Sequence, residues 1–442
     1  MFRRLHILLA VVAMTAIACA GSTNTGGATP GSTNTGGATP GGSSANGAVV
    51  TLSIESWRSE DTPAWQDKII PAFEKTHPNI HLEFVGTSPD QYDPALAAKM
   101  AGGTAGDLVF CRPFDISLKL FQQGDLTSLN NLPGIENFSQ VALTAWQTDD
   151  GKSTFCVPMA SVIHGFIYNK SIFEKLGLQP PTTEADFFAL LDKVKADGEY
   201  TPLAFATGDS WTDASMGFNN IGPNRWKGEQ GRLAVIKGTM KFTDPAFVDT
   251  WATLTKWEPY LPAGYSAVSY ADTQNMFTLG KAAIFPAGSW EIPGFEKQAS
   301  FQMGAFPPPL PAAGDQGFIS DEIDHAMGMN SKTAHPAEAT TFLQWLTTPE
   351  FANVYSNALP GFFSLNKTAA TLTDPLAQAF VGWRTDHQST IRFGDQFLSR
   401  GTPSVGNELN VVSQNVLNNA VTPQKAGAQL QGDIDSWYKP QP

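Results

Sequence analysis

The chain has 442 residues, with 28 lysines and arginines against 41 aspartates and glutamates, a formal net charge of −13. Its 42% hydrophobic and 16% charged content excludes a disordered acidic chain, and its length supplies core enough for two or three domains. The acidic surplus argues against a nucleic-acid partner, since no excess of cations exists to neutralise phosphates, whereas 11 Trp and 29 Phe on so lightly charged a protein suit a neutral, hydroxyl-bearing ligand.

Met1-Phe2-Arg3-Arg4 is a basic start, and Leu5 to Ala18 is almost wholly apolar, too short to span a bilayer and suited to a secretory signal. The segment ends Ala16-Ile17-Ala18-Cys19-Ala20, which resembles a lipobox with Ala16 in the usual Leu position. Cleavage before Cys19 would free its thiol for lipidation; the alternative is ordinary signal-peptidase cleavage at Ala18-Cys19-Ala20. The decamer GSTNTGGATP fills 21–30 and again 31–40, and GGSSANGA runs on to Ala48, a Gly/Ser/Thr leash with nothing to seed a core. A leash directly after a Cys fits anchorage. The expected order is therefore a signal peptide over 1–18, a lipidated Cys19 with a tether over 19–48, and an exported domain held on the outer face of the cytoplasmic membrane. Cys111 and Cys156, 45 positions apart, either pair outside the cytosol or stay as buried thiols; they make no metal site.

Val49 to Ile54 is a β-rich run, expected as the first strand. Asp61-Thr62-Pro63 signals a helix start, and Trp65, Ile69, Ile70 and Phe73 form its apolar stripe. Pro78-Asn79 breaks it, and Ile80 to Val85 alternates as a second strand. A helix over Pro94 to Ala101, the break Gly102-Gly103 and a strand over Asp107 to Phe110 follow. Strand–helix–strand–helix–strand predicts an α/β lobe with a mainly parallel sheet. Phe166-Ile167-Tyr168 reads as a strand. Thr182-Thr183 caps a helix carrying Phe187, Leu190, Leu191 and Val194, stopped by Gly198. Asp244-Pro245 opens another, Lys281 to Phe285 is a short buried strand, Pro336 to Leu346 a helix, and Leu409 to Ala420 a late amphipathic helix. Trp65, Trp251, Trp345 and Trp437 fall on helical stripes and are expected in the core.

Four stretches carry a resemblance. Leu52-Ser53-Ile54-Glu55-Ser56-Trp57 leads to Phe73-Glu74-Lys75-Thr76-His77-Pro78-Asn79-Ile80, similar to F-E-K-x-x-P-x-I. Gly106-Asp107-Leu108-Val109-Phe110 resembles a P-D-V strand with Gly106 in the Pro position. Val157-Pro158 and Ile167-Tyr168-Asn169-Lys170 are similar to a Y-N-K crossover strand. Phe277, Gly280-Lys281-Ala282-Ala283-Ile284 and Gly288-Ser289-Trp290 complete the series. In this order, over 49–442, the chain resembles the type-1 carbohydrate group of extracellular solute-binding proteins, the maltose-binding-protein-like receptors of bacterial ABC importers. The resemblance implies an α/β, two-lobed periplasmic-binding-protein-like fold, each lobe a mainly parallel sheet flanked by helices, with the ligand cleft between. It implies an N-terminal lobe of 49–160 plus 325–372 and a C-terminal lobe of 161–324 plus 373–442, closing by a hinge. It further implies a monomer that captures a carbohydrate, hands it to ABC permease transmembrane subunits, needs no cofactor or metal, and does no chemistry.

Sugar recognition calls for aromatic faces against C–H patches and planar polar groups on hydroxyls, at strand ends and the loops after them. Trp290 follows the G-K-A-A strand, where the resemblance implies a Trp that stacks on sugar, with a core position as its alternative. Trp57, Arg58 and Glu60 follow the first strand, where the resemblance places ligand contacts. In Cys111-Arg112-Pro113-Phe114-Asp115, Phe114 is expected to supply the stack, and Arg112 and Asp115 to meet hydroxyls or pair locally. His164 precedes the crossover strand. Asp209, Trp211 and Asp213 share a polar loop with Trp226 soon after, and Trp211 is the second expected stacker. Asp321, Asp324 and His325 stand at the expected second crossover, where D-x-x-D-H is no specific metal pattern. Phe362, Asn407 and Glu408 complete the candidates. The rival functions are a secreted glycoside hydrolase, for which no hydrolase motif appears, and the same fold holding glycerol-phosphate or a polyamine.

Overall fold

The computed structural model describes residues 49–441. The expected signal peptide, Cys19 and the tether lie outside them. Ten strands form one continuous sheet: β1 (Val50–Ser56), β2 (Ile80–Gly86), β3 (Leu108–Cys111), β4 (Val157–Asn169), β5 (Thr201–Leu203), β6 (Ala282–Gly288), β7 (Met303–Phe306), β8 (Gly317–Met329), β9 (Phe363–Ser364) and β10 (His387–Thr390). The main order is β2-β1-β3-β8-β4-β6-β5. β1 lies parallel between β2 and β3, and β5 parallel to β6, while β8 and β4 run antiparallel through the middle.

The sheet serves two lobes, each with its own apolar cluster. Leu52, Ile54, Phe110, Val162 and Phe342 belong to the first, and Ile163, Phe166, Phe205, Trp251 and Phe285 to the second. The chain passes between them along three segments. On β4 the change falls between Val162 and Ile163, on β8 between Ile319 and Ile323, and next to β9 between Phe362 and Phe363. Where β4 pairs with β8 each strand carries one extra residue, Met159 and Asp324, so the register slips and recovers within the crossing. Such bulges bend a ladder and re-aim its side chains.

Local chemistry explains most elements. The helix Glu184–Asp197 opens with a reciprocal box in which Thr183 accepts the Asp186 N–H and Asp186 accepts that of Thr183, and Gly198 ends it at φ +76°. The helical run through Trp65 winds one turn wide over Trp65–Ile69, just before Pro71, which has no N–H to return to that turn. The helix expected from Pro94 begins at Pro89, which takes the first-turn position, and Pro94 lies inside it. Cys111 and Cys156 are bonded, fully buried, with Cα atoms 6.6 Å apart. β8 runs between β3, which ends on Cys111, and β4, which Cys156 directly precedes, and a Cβ on Gly328 would stand 2.9 Å from either sulfur, so glycine lets the bond lie across that strand. Trp65, Trp251 and Trp345 are core residues, whereas Trp437 is half-buried, its indole N–H donating to the Pro403 carbonyl at 2.6 Å.

Candidate functional site

The end of β1 delivers Trp57 and Arg58 to the edge of the first lobe. Trp57 is buried, with the edges of Tyr92, Phe110 and His325 against it at 5.1–5.6 Å and the Arg112 guanidinium 4.2 Å over its face. Its face is therefore covered rather than offered. Arg112 also donates to the Pro89 carbonyl and to Asp93. Arg58 is matched by carboxylates of its own loop, donating through Nε and Nη2 to Asp61 at 3.1 and 3.0 Å and pairing with Glu60 at 2.9 Å. Phe362 lies 5.1 Å beneath it. Phe114 is buried, with φ +58°, and the helix that begins at Asp115 follows it.

The second lobe supplies an aromatic wall. After β6 the chain turns through Ser289–Glu291, bringing out Trp290, half-buried and packed against both apolar clusters. Its indole N–H donates to Tyr270 Oη at 3.2 Å, and Tyr270 in turn donates to Glu291, whose other oxygen accepts from Gln274 at 2.8 Å. Trp211 meets Tyr270 edge-on at 4.8 Å, and Asp209 accepts the Tyr270 backbone N–H. Burial pushes the Glu291 carboxyl up to about 7. Burial, with Asp209 adding to it, pushes Asp213 up to about 9, and neither of its oxygens has a partner among the described residues. Arg58 of the first lobe is near enough to Tyr270 and Glu291 to act on both.

The crossing strands form the floor. Glu322 lies 3.3 Å from His164 and 3.1 Å from Arg392, which also pairs with Asp324 and, at 3.4 Å, with Asp395. Burial alone would raise Glu322, but Arg392 and His164 overcome it and hold the carboxyl at about 2. For Asp395 burial wins over Arg392, leaving it at about 7. His325 is driven down to about 3 by burial and stays neutral, bonded to Tyr355 at 2.6 Å and stacked on Phe362 at 4.5 Å.

Direct contacts link Trp57, Arg58, Glu60, Arg112, Asp324, His325 and Phe362 on the first-lobe side, and His164, Trp290, Trp211 and Asp209 on the other, the last two through Tyr270. Others fall elsewhere. Trp226 is a core residue of the second lobe, packed on Phe218, Phe247 and Phe393. Gly222 makes room for it, since a Cβ there would stand 1.9 Å from its ring. Asp321 is tied to Arg384 and Ser389 rather than to Arg392, so Asp321, Asp324 and His325 do not converge. Asn407 is exposed on the first turn of the helix Val405–Leu417, and Glu408 beside it feels Asp433 of the next helix. Asp115 meets Arg400 at 2.7 Å, beside a cavity of about 110 Å³ between the lobes that Phe114, Asp149 and Phe397 also line. Sequence reasoning missed Tyr270, Glu291, Glu322, Arg392 and Asp395. Only Glu291 had a local signal, its place directly after Trp290.

A family described as bacterial extracellular solute-binding protein matches residues 57–353. The multiple sugar-binding protein of Streptococcus mutans is 24% identical over 310 residues, covering 67% of this chain and 71% of that protein. An uncharacterised ABC transporter extracellular-binding protein of Pyrococcus horikoshii is 28% identical over 305 residues, covering 68% of this chain and 69% of that one. A chitin oligosaccharide binding protein of known structure superposes with a TM-score of 0.74 at 22% identity, over 88% of this chain and 99% of the other. The solute-binding protein RafE in complex with raffinose gives 0.72 at 21% identity, over 88% and 99%. These structures share the fold of this chain. With well over half of its length matched, the chain belongs to the bacterial extracellular solute-binding protein family.

Proposed function

We propose that this protein is the sugar-capturing component of an ABC importer, anchored by lipid on Cys19, with a first lobe of 49–160 plus 325–372 and a second of 161–324 plus 373–442. The observation that carries the reading is the wall of half-buried rings, Trp211, Tyr270 and Trp290, opposite an edge whose cations are already matched. Arg58 holds Asp61 and Glu60, and Arg392 holds Glu322, Asp324 and Asp395. No unbalanced cation of this cluster is left for a phosphate, and the rings suit the C–H faces of a pyranose. The names of the Streptococcus mutans protein and of the raffinose complex support the same ligand class. Glu291 has both oxygens engaged, by Tyr270 and Gln274, which favours capture over glycosidic cleavage. A ligand touching both walls would draw the lobes together and present the closed form to the permease.

The test is a thermal-shift screen against neutral mono- and oligosaccharides, followed by calorimetry of the best ligand on wild type and Trp290→Ala. A shift with a sugar, and loss of binding of roughly 30-fold or more in the variant, is expected. No heat with any saccharide, release of reducing ends, or unchanged affinity in the variant would overturn the reading.

A further inference from the structure

Away from the crossing strands, Arg400 ties the lobes together through its side chain. Arg400 belongs to the second lobe: its segment is rooted there by Phe393 and Leu398. Its guanidinium reaches two carboxylates of the first lobe. Nε meets Asp115 Oδ1 at 2.7 Å, while Nη1 and Nη2 take the two oxygens of Asp149 at 2.6 and 2.7 Å. The Ser399 backbone N–H adds a bond to Asp115 Oδ2 at 3.1 Å. Asp115 and Asp149 flank residues of the first core, Phe114 and Leu118 on one side and Trp146 on the other.

Both sides of this contact are held in place. The Phe397 ring lies 4.4 Å from the guanidinium carbon, and Phe397 has φ +64°. Phe114, directly before Asp115, has φ +58°. Left-handed backbone at a phenylalanine is strained, and it persists where the surroundings fix it. The Asp115 side chain is 2% exposed, and burial pushes its carboxyl up against the pull of Arg400, so that carboxylate depends on its partner. The Asp149 side chain is 50% exposed and that of Arg400 33%, so salt reaches half of the contact.

We propose that Arg400 is a positioning residue for ligand capture: it touches no ligand, but by clasping Asp115 and Asp149 it biases the lobes toward the closed form and so sets the affinity. This rests on the reading that the cleft closes on a sugar. A ligand that needs the closed form binds more tightly the more that form is already populated. A neutral ligand brings no charge of its own, so the part of its ionic-strength dependence that is lost in the variants reports this clasp.

The mature chain is used in two measurements. Small-angle scattering without ligand compares wild type with Arg400→Met and with Asp149→Asn, which alters a half-exposed side chain and leaves packing intact. Both variants should be more open than wild type. Calorimetry with the best sugar of the screen should show dissociation constants raised roughly tenfold in both variants. It should also show wild-type affinity weakening from 50 mM to 1 M NaCl, roughly by the same factor, with little change in the variants, and Arg400→Lys between the two. Scattering curves identical to wild type, or equal affinity and salt dependence in folded Asp149→Asn, would overturn the clasp. Opened variants with no sugar binding in any form would uphold the clasp and overturn the sugar reading instead.

Discussion

Replacing both cysteines of the buried bridge, as Cys111→Ala with Cys156→Ala, isolates what the bond contributes. The bond closes a loop with 45 positions between its ends. In the chain-entropy account a loop of that length withholds about 4 kcal/mol of freedom from the unfolded chain at 25 °C. The native side adds a smaller loss, since the sulfurs fill space over Gly328 and both cysteines are fully buried. If the described residues melt as one unit, the unfolding entropy of nearly four hundred residues is about 0.8 kcal/mol/K, and the melting temperature should fall by about 5 °C. If the proposed first lobe, about 160 residues within its proposed bounds, melts alone, the same free energy lowers its own transition by roughly 12 °C and splits the trace in two. Differential scanning calorimetry of wild type and the double variant distinguishes these outcomes. A transition displaced by less than about 1 °C would refute the argument. It would mean that the loop is already constrained when unfolded or that the bond brings compensating strain.

Two further outcomes follow from groups buried at the cleft. Ser289 Oγ accepts the Ile163 N–H at 3.0 Å and donates to the Gly361 carbonyl, so Ser289→Ala leaves two buried backbone groups unpaired where the crossings meet. Urea unfolding should show a loss of about 2–4 kcal/mol, and an unchanged midpoint would contradict this. Glu291 keeps its proton up to about 7 when folded, whereas unfolded it releases it near 4.5, so its burial costs stability progressively as pH rises through that window. Glu291→Gln should therefore gain on wild type by up to about 3 kcal/mol between pH 4.5 and 8, and a difference that does not vary with pH would refute the assignment. The comparison must be with the variant, because Asp395 titrates near 7 with the same sign.

What the sequence revealed was what lies close along the chain. The helix Pro336–Leu346 is found at its expected limits because its proline and its stripe of Phe342, Leu343 and Trp345 are local. Trp57 and Trp290 could be placed at strand ends because the strand and the following turn are contiguous. Which ring is free to meet a ligand was not legible, since Arg112 covers Trp57 only through the tertiary fold. Trp226 shows the same limit. A tryptophan among Gly, Pro and Asn reads as a loop residue, yet Gly222 and Gly231 are the gaps that let it turn inward. The charged partners were least legible. Tyr270 and Glu291 are 21 positions apart, Arg392 and Asp324 68, and Arg400 and Asp115 285. No periodicity links such residues.

The distribution of these charges bears on how the lobes part. An apolar seam would resist opening in proportion to its area, at about 25 cal/mol per Å² exposed, and a seam of a few hundred Å² would close the cleft for good. Here the seam includes an ionic contact, Arg400 on Asp115 and Asp149. When such pairs separate, each charge regains hydration that roughly offsets the lost attraction, so the net cost of opening stays small. The larger charge cluster, Glu322, Asp324, Arg392, Asp395 and His164, gathers at the crossing strands rather than across the mouth. Pairs at a pivot move little when the arms beyond them swing. Of the rings Trp211, Tyr270 and Trp290, the first two pack on the second-lobe cluster alone and Trp290 on both clusters. In the proposed opening, apolar surface is pulled apart at Trp290 while Trp211 and Tyr270 stay with their own lobe, and a ligand with its own apolar faces can supply closing energy that the empty seam withholds.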